Sequence, residues 1–209
     1  MSATAERTIA HPTTPAHPAA PARAEVADPG PLGLAAFALT TMLLSLANAG
    51  LVGEAGATAV AMALFFGGLT QFAAGLWEFA RGNTFGATAF TSYGAFWLSF
   101  WWLTAHLADY KIPAADVGKG VGLYLIAWGI FTAYMTVAAT RVSAAVLAVF
   151  ALLTVTFLVL GIGDLSSTES ITRIGGWIGI LTALAAWYAS FAGVTRFAFK
   201  RSVVPTGAR

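Results

Sequence analysis

The fold class expected of this chain is an all-α membrane protein, six transmembrane helices in a compact bundle around a central path, and three observations lead there. Of its 209 residues 58% are hydrophobic and only 10% charged, with a mean hydropathy of +0.76, whereas a soluble domain carries about 25% charged residues. From residue 31 onward the sequence divides into six apolar stretches, each near the roughly 20 residues that a membrane helix requires. The charges between those stretches sort to two sides.

The N-terminal segment stands apart. Six of the eight prolines fall at 12, 15, 18, 21, 29 and 31, among many alanines and with no apolar run. A secretory signal needs about 7–15 continuous apolar residues, so residues 1–27 read as a disordered, solvated tail. Its histidines, His11 and His17, are isolated and are not taken as metal ligands.

The spans are expected at 31–50, 57–80, 84–107, 117–139, 142–163 and 171–197, with breaks at 50–56, 81–83, 109–115, 140–141 and 164–170. Arg141 is the only strong marker between the fourth and fifth. With a cytoplasmic N-terminus, one side carries Arg7, Arg23, Arg81, Arg141, Arg196, Lys200, Arg201 and Arg209. The other carries Lys111, Lys119 and Arg173, together with Glu54, Asp109, Asp116, Asp164 and Glu169. This is the asymmetry of the positive-inside rule, and an odd number of spans would break it. A multi-pass protein of the cell (inner or plasma) membrane follows, with both termini cytoplasmic, a six-helix transmembrane domain at 28–200 and a short basic tail at 201–209.

At the start of the first span, Asp28 is placed to cap a helix whose first residue is Pro29, accepting from the Gly30 amide. Glycines at helical spacing (68 and 75, 118 and 122, 175 and 179) let helices approach closely, and packing within one protomer is the reading preferred. Trp101, Trp102 and His106 mark the outer rim of the third span.

Catalysis finds no residues. There is no cysteine, hence no disulfide, thiolate metal site or cysteine nucleophile. His106 is the only histidine outside the tail, and no span holds a His–Asp or His–Glu cluster. GKGVG at 118–122 lacks the Lys-Ser/Thr ending of a phosphate loop. A net charge of +2 does not suggest nucleic acid. No metal or cofactor is expected.

The spans do hold neutral polar groups in register. Phe37, Thr41, Ser45 and Asn48 form one stripe on the first helix, Gln71 and Glu78 share a face of the second, and Thr84, Thr88, Ser92 and Ser99 line the third beside Tyr93. A hydroxyl in a membrane helix often bonds its own i−4 carbonyl. Amides such as Asn48 and Gln71 satisfy themselves less easily, so the stripes together favour a polar path through Thr41, Asn48, Gln71, Thr84, Thr88 and Ser92. No Lys or Arg lies deep in a span, which implies weak binding and easy release. Glu78, one turn from Arg81, reads either as half of an interfacial ion pair or as a proton-titrating site.

These residues resemble a known family. DPGPLGLAAFALTT at 28–41 with NAG at 48–50, GGLTQFAAGLWEF at 67–79, GNTFGATAFTSYGAFW at 82–97 and GWIGI at 176–180 are similar to segments of the acetate uptake transporters, the succinate–acetate permeases. The likeness covers about 28–205. Asp28 and Gly30 depart from the Asn and Ala of the family's Asn-Pro-Ala-Pro-Leu-Gly-Leu pattern, and Asp28 adds a charge at the inner mouth. The resemblance implies a homohexamer in membrane lipid, one substrate path per protomer, and acetate, succinate or other short carboxylates as cargo. It also implies an apolar constriction formed here by Phe37, Tyr93 and Leu153. The rival reading is a six-helix channel for urea or other small neutral amides, since hydroxyls and amides serve urea equally well. A non-transporting scaffold or intramembrane enzyme is the third and least supported.

Overall fold

The structure, a computed structural model, describes residues 26–207. The Pro- and Ala-rich tail, with His11 and His17, lies outside the described residues except for its last two positions. The described chain is helical throughout its spans, in the order α1 Gly30–Asn48, α2 Ala59–Met62, α3 Gln71–Arg81, α4 Thr84–Ala105, α5 Ala114–Ala139, α6 Ala144–Ser166 and α7 Glu169–Phe199. Short 3-10 turns at Gly53–Thr58 and Leu107–Tyr110 lie at two of the breaks. α2 and α3 belong to one span, Ala55–Arg81, so the bundle has six.

Among the described residues five spans are both long and apolar enough to cross a membrane, and α4 is not one of these. It is long enough at 22 residues, but its Thr, Ser and Gly positions dilute its apolarity. The sixth span is therefore the hydroxyl-rich helix itself, sheltered by its neighbours.

Between α2 and α3 the chain winds as a π-helix over Ala63–Thr70, a rare conformation that tends to mark functional positions. Thr70 Oγ1 donates to the Phe65 carbonyl five residues back, at 3.1 Å. Gly67 and Gly68 allow it, because Thr40 of α1 and Leu98 of α4 press where their side chains would stand. The wider turns reset the register of α3, and Gln71 and Glu78 both become inward-facing residues, each 1% exposed. Nothing in the apolar pattern of 57–80 foretold this.

α1 packs mainly on α7, α5 on α6, α6 on α7, and α3 on α4. Glycine sets these approaches. A Cβ at Gly75 would collide with the Thr91 backbone of α4, and one at Gly122 with Gly161 and Leu165 of α6. Gly68, Gly118, Gly175 and Gly179 likewise meet neighbours within the chain. α1 starts beside the end of α7, where Ser190 Oγ donates to the Pro31 carbonyl at 2.6 Å.

Three boundary expectations are refined. The helix break after 139 is present, with Ser143 capping α6 by accepting from the Val146 amide at 3.1 Å. Asp28 does accept from the Gly30 amide at 3.0 Å, but the N-cap is Pro29 and α1 begins at Gly30. Residues 202–207, expected as a simple tail, fold back: the Thr206 and Gly207 carbonyls accept from the Ala145 and Ala144 amides, each at 3.0 Å. These amides at the start of α6 have no partner within their own helix. Tyr188 Oη fastens the same segment by donating to the Pro205 carbonyl at 2.6 Å.

The α3–α4 contact generates a test. Gly75→Val should lower the stability of the detergent-solubilised protein by about 1–3 kcal/mol, the usual cost of overpacking a tight contact. An unchanged thermal midpoint would contradict the close approach.

Candidate functional site

A cavity of about 510 Å³ opens among the start of α1, the end of α3, the starts of α4 and α6, the end of α7 and the folded-back C-terminal segment. Its polar wall comes from Asp28, Glu78, Asn83, Ser143, Arg196, Ser202 and Thr206. This is the end of the bundle at which both described termini lie.

Local sequence explains how Glu78 is held there. Gly82, at φ +76°, ends α3 in the left-handed region that favours glycine. Asn83 then caps α4, its Oδ1 accepting from the Gly86 amide at 3.1 Å. The other side-chain atom of Asn83, Nδ2, donates to Glu78 Oε2 at 2.9 Å. Arg81 Nη1 lies 2.5 Å from Asp28 Oδ1 and 3.8 Å from Glu78 Oε2. The ion pair with Arg81 read from the sequence is present but shared: Arg81 also joins Asp28, more closely, and Glu78 accepts a hydrogen bond from the neutral Asn83. One cluster thus ties together α1, α3 and α4 and leaves a carboxylate in the cavity wall.

Leu34, Ala89, Phe90 and Phe150 line this cavity and also a second one, deeper in the bundle, of about 20 Å³. The second is completed by Phe37, Gln71, Tyr93, Val149 and Leu153. Phe37, Tyr93 and Leu153, from three different spans, therefore converge on one point. Roughly 10–15 Å³ suffices for a water molecule, so the space admits about one and no carboxylic acid. Tyr93 packs against Phe37, Trp128, Phe131 and Phe150 at centroid distances of 5.5–6.1 Å.

Three buried side-chain atoms among the described residues have no hydrogen-bond partner: Thr41 Oγ1, Gln71 Oε1 and Trp97 Nε1. Leaving such a group unpaired is costly, by about 1–3 kcal/mol. Gln71 belongs to the wall of the deeper cavity, where a polar solute would meet it.

The other expected path residues are placed differently. Asn48 lines neither cavity, and its backbone packs against Gly176 of α7, as the Ser45 side chain of the same stripe packs against Gly179. Thr84, Thr88 and Ser92 line neither cavity. The face of α4 that does so carries Phe85, Ala89, Phe90 and Tyr93, about 100° away, because neighbouring helical residues differ by that angle. Leading toward the deeper cavity is therefore an apolar and aromatic face, with the hydroxyl stripe beside it. His106 stacks on Trp102 at 4.0 Å and stays at the rim.

Sequence reasoning missed several residues here. Asn83 had a readable signal, as a cap candidate between Gly82 and the Thr84 span. Arg196 appeared only as a flanking charge, and the Ser202–Thr206 wall had no signal, since it depends on the chain folding back. Phe150 stands inside the unbroken apolar run 144–153, which gave it no signal of its own.

Comparison with known proteins follows this geometry. The model of the GPR1/FUN34/yaaH family matches residues 11–205. The succinate-acetate/proton symporter SatP of Escherichia coli (strain K12) is 40% identical over 185 residues, 88% of this chain and 96% of that protein. Ammonia transport outward protein 2 of Saccharomyces cerevisiae is 43% identical over 175 residues, 80% of this chain but 61% of its own length; the chain thus spans about three-fifths of that relative. The solved structure of the bacterial acetate channel SatP superposes with a TM-score of 0.81 at 38% identity, covering 88% of this chain and all of that one.

Asp28 is the hinge of the α1–α3 tie, so Asp28→Ala should destabilise the purified protein by about 1 kcal/mol, as the loss of a helix-start acceptor does. Most of that comes from the Gly30 amide, because the half-exposed pair with Arg81 contributes little. Identical unfolding curves would contradict it.

Proposed function

Because the chain belongs to the GPR1/FUN34/yaaH family, we propose that it carries acetate, and with it succinate or other short carboxylates, across a cell membrane. The observation that carries this reading is that the two cavities share the wall residues Leu34, Ala89, Phe90 and Phe150. A polar vestibule holding Glu78 and Arg196 leads across a shared floor to an apolar constriction of Phe37, Tyr93 and Leu153, with Gln71 beside it. The cargo is proposed from the SatP symporter and the SatP acetate channel, which this chain resembles over most of its length.

The mechanism follows from burial. A carboxylate loses its hydration at an apolar constriction and meets no fixed cation there, which is expensive, whereas the neutral acid needs only hydrogen-bond partners. The acid form therefore crosses the constriction, with Gln71 supplying a polar contact on the way. Glu78 is the proposed group at which a proton is taken on or given up in the vestibule. Passage is channel-like, with weak contacts and rapid release.

The basic residues Arg81, Arg141, Arg196, Lys200 and Arg201 gather at the vestibule end, and the positive-inside rule places that end, with both termini, in the cytoplasm. The assembly is proposed to be a homohexamer with one path per protomer. Apolar residues exposed on α5 and α7, such as Leu123, Ile130, Trp177 and Leu181, then face lipid or neighbouring protomers. The urea reading has no support from these relatives. Ammonia is the neutral rival, on the strength of one relative's name.

Purified protein in vesicles separates these readings. Labelled acetate should enter faster when the outside is acidified, with no flux of urea or methylammonium; absence of acetate flux would overturn the proposal. Phe37→Ala should shift uptake toward succinate, and an unchanged acetate-to-succinate ratio would remove Phe37 from the constriction. Glu78→Gln should flatten the pH dependence of uptake; full retention of that dependence would leave Glu78 without a part in proton transfer.

A further inference from the structure

The outer cavity is walled by α1, α3, α4, α6 and α7 with the C-terminal segment, the deeper one by α1, α3, α4 and α6 alone, and α5 contributes to neither. It nevertheless reaches the constriction through one hydrogen bond. Tyr93 Oη donates to Thr132 Oγ1 of α5 at 3.0 Å. Thr132 is fully buried, and its own hydroxyl proton is committed to the Trp128 carbonyl at 2.7 Å. The direction of the bond is thereby fixed: a threonine hydroxyl has one hydrogen, so Thr132 can only accept from the phenol.

Trp128 and Phe131 flank the same ring from α5, at centroid distances of 6.1 and 5.5 Å. An aromatic cage leaves a ring free to tilt within its packing, whereas a hydrogen bond at the far tip of the phenol does not. We infer that Thr132 is a positioning residue that holds the Tyr93 ring across the constriction, and so sets the size of solute admitted, without touching the solute. This rests on the transport reading and adds to it the element that keeps the gate shut against larger acids.

The bond's direction makes the consequences unequal. Thr132→Val orphans the Tyr93 hydroxyl in a buried place, and the ring must move to find a partner. Tyr93→Phe orphans nothing, because Thr132 keeps its bond to the Trp128 carbonyl. Removing both partners of a buried hydrogen bond is milder than removing one, and residues joined in this way give non-additive effects.

The experiment is uptake of labelled acetate and succinate by vesicles holding the whole protein, with folding of each variant checked by thermal unfolding. Thr132→Val should raise the succinate-to-acetate ratio by several-fold, up to about tenfold, and Thr132→Ser should restore the original ratio. Tyr93→Phe should raise it less, and the Thr132→Val, Tyr93→Phe double variant should match Tyr93→Phe alone. A ratio unchanged in folded Thr132→Val overturns the inference, as does a double variant whose effect is the sum of the two. If Thr132→Val does not fold, the double variant carries the test: a ratio equal to that of the unaltered protein, in it and in Tyr93→Phe alike, overturns the role. Lack of acetate uptake by the unaltered protein would overturn the transport reading first, and this inference with it.

Discussion

Within a bilayer a hydroxyl without a partner is costly, and most hydroxyls of this bundle answer that constraint on their own helix. Thr40, Thr91, Thr132, Thr136, Thr154, Thr156, Thr182 and Thr195 each donate to the carbonyl four residues back. Across helices, Thr156 meets Thr182 at 3.1 Å and Thr136 meets Thr154 at 3.0 Å, and since each hydroxyl has one hydrogen, the member that donates across the pair gives up its own carbonyl. What remains unpaired in the buried, described interior is short: one hydroxyl, one amide oxygen and one indole N–H. Of these three, only the Gln71 oxygen belongs to a residue in the wall of the deeper cavity.

The same constraint governs the ends of the helices. Asp28 and Asn83 each supply an acceptor to a helix-start amide and also reach a charged side chain. The C-terminal segment lends two carbonyls to α6. These contacts do structural work and at the same time build the vestibule wall. Its shape therefore depends on the helix caps, and the cavity does not exist as a separate feature grafted onto the bundle.

Much of this was legible in sequence. Apolar lengths and the sorting of charges located the six spans to within a few residues, because a membrane enforces both. Glu78 and Gln71 stood out because an acid and an amide are conspicuous in an apolar run. Thr84, Thr88 and Ser92 were legible only as a stripe. Periodicity says which residues share a face, not which face turns inward, and in α4 the inward face belongs to Phe90 and Tyr93. The π-helical turns at Ala63–Thr70 and the return of residues 202–207 depend on contacts far apart in the chain, so no local pattern announced them. Thr132 was invisible for the same reason: its part is defined by a tyrosine 39 residues away.

The central claim is that solute runs along the Ala89–Tyr93 face of α4, with the hydroxyl stripe outside the path. The absence of native cysteine allows a direct measurement. Single variants Ala89→Cys and Thr88→Cys are treated with a small charged thiol reagent while acetate uptake is followed. Modification at 89 should block uptake, and acetate should slow the reaction; modification at 88 should leave uptake intact. Blockage at 88 with free passage at 89 would contradict the account.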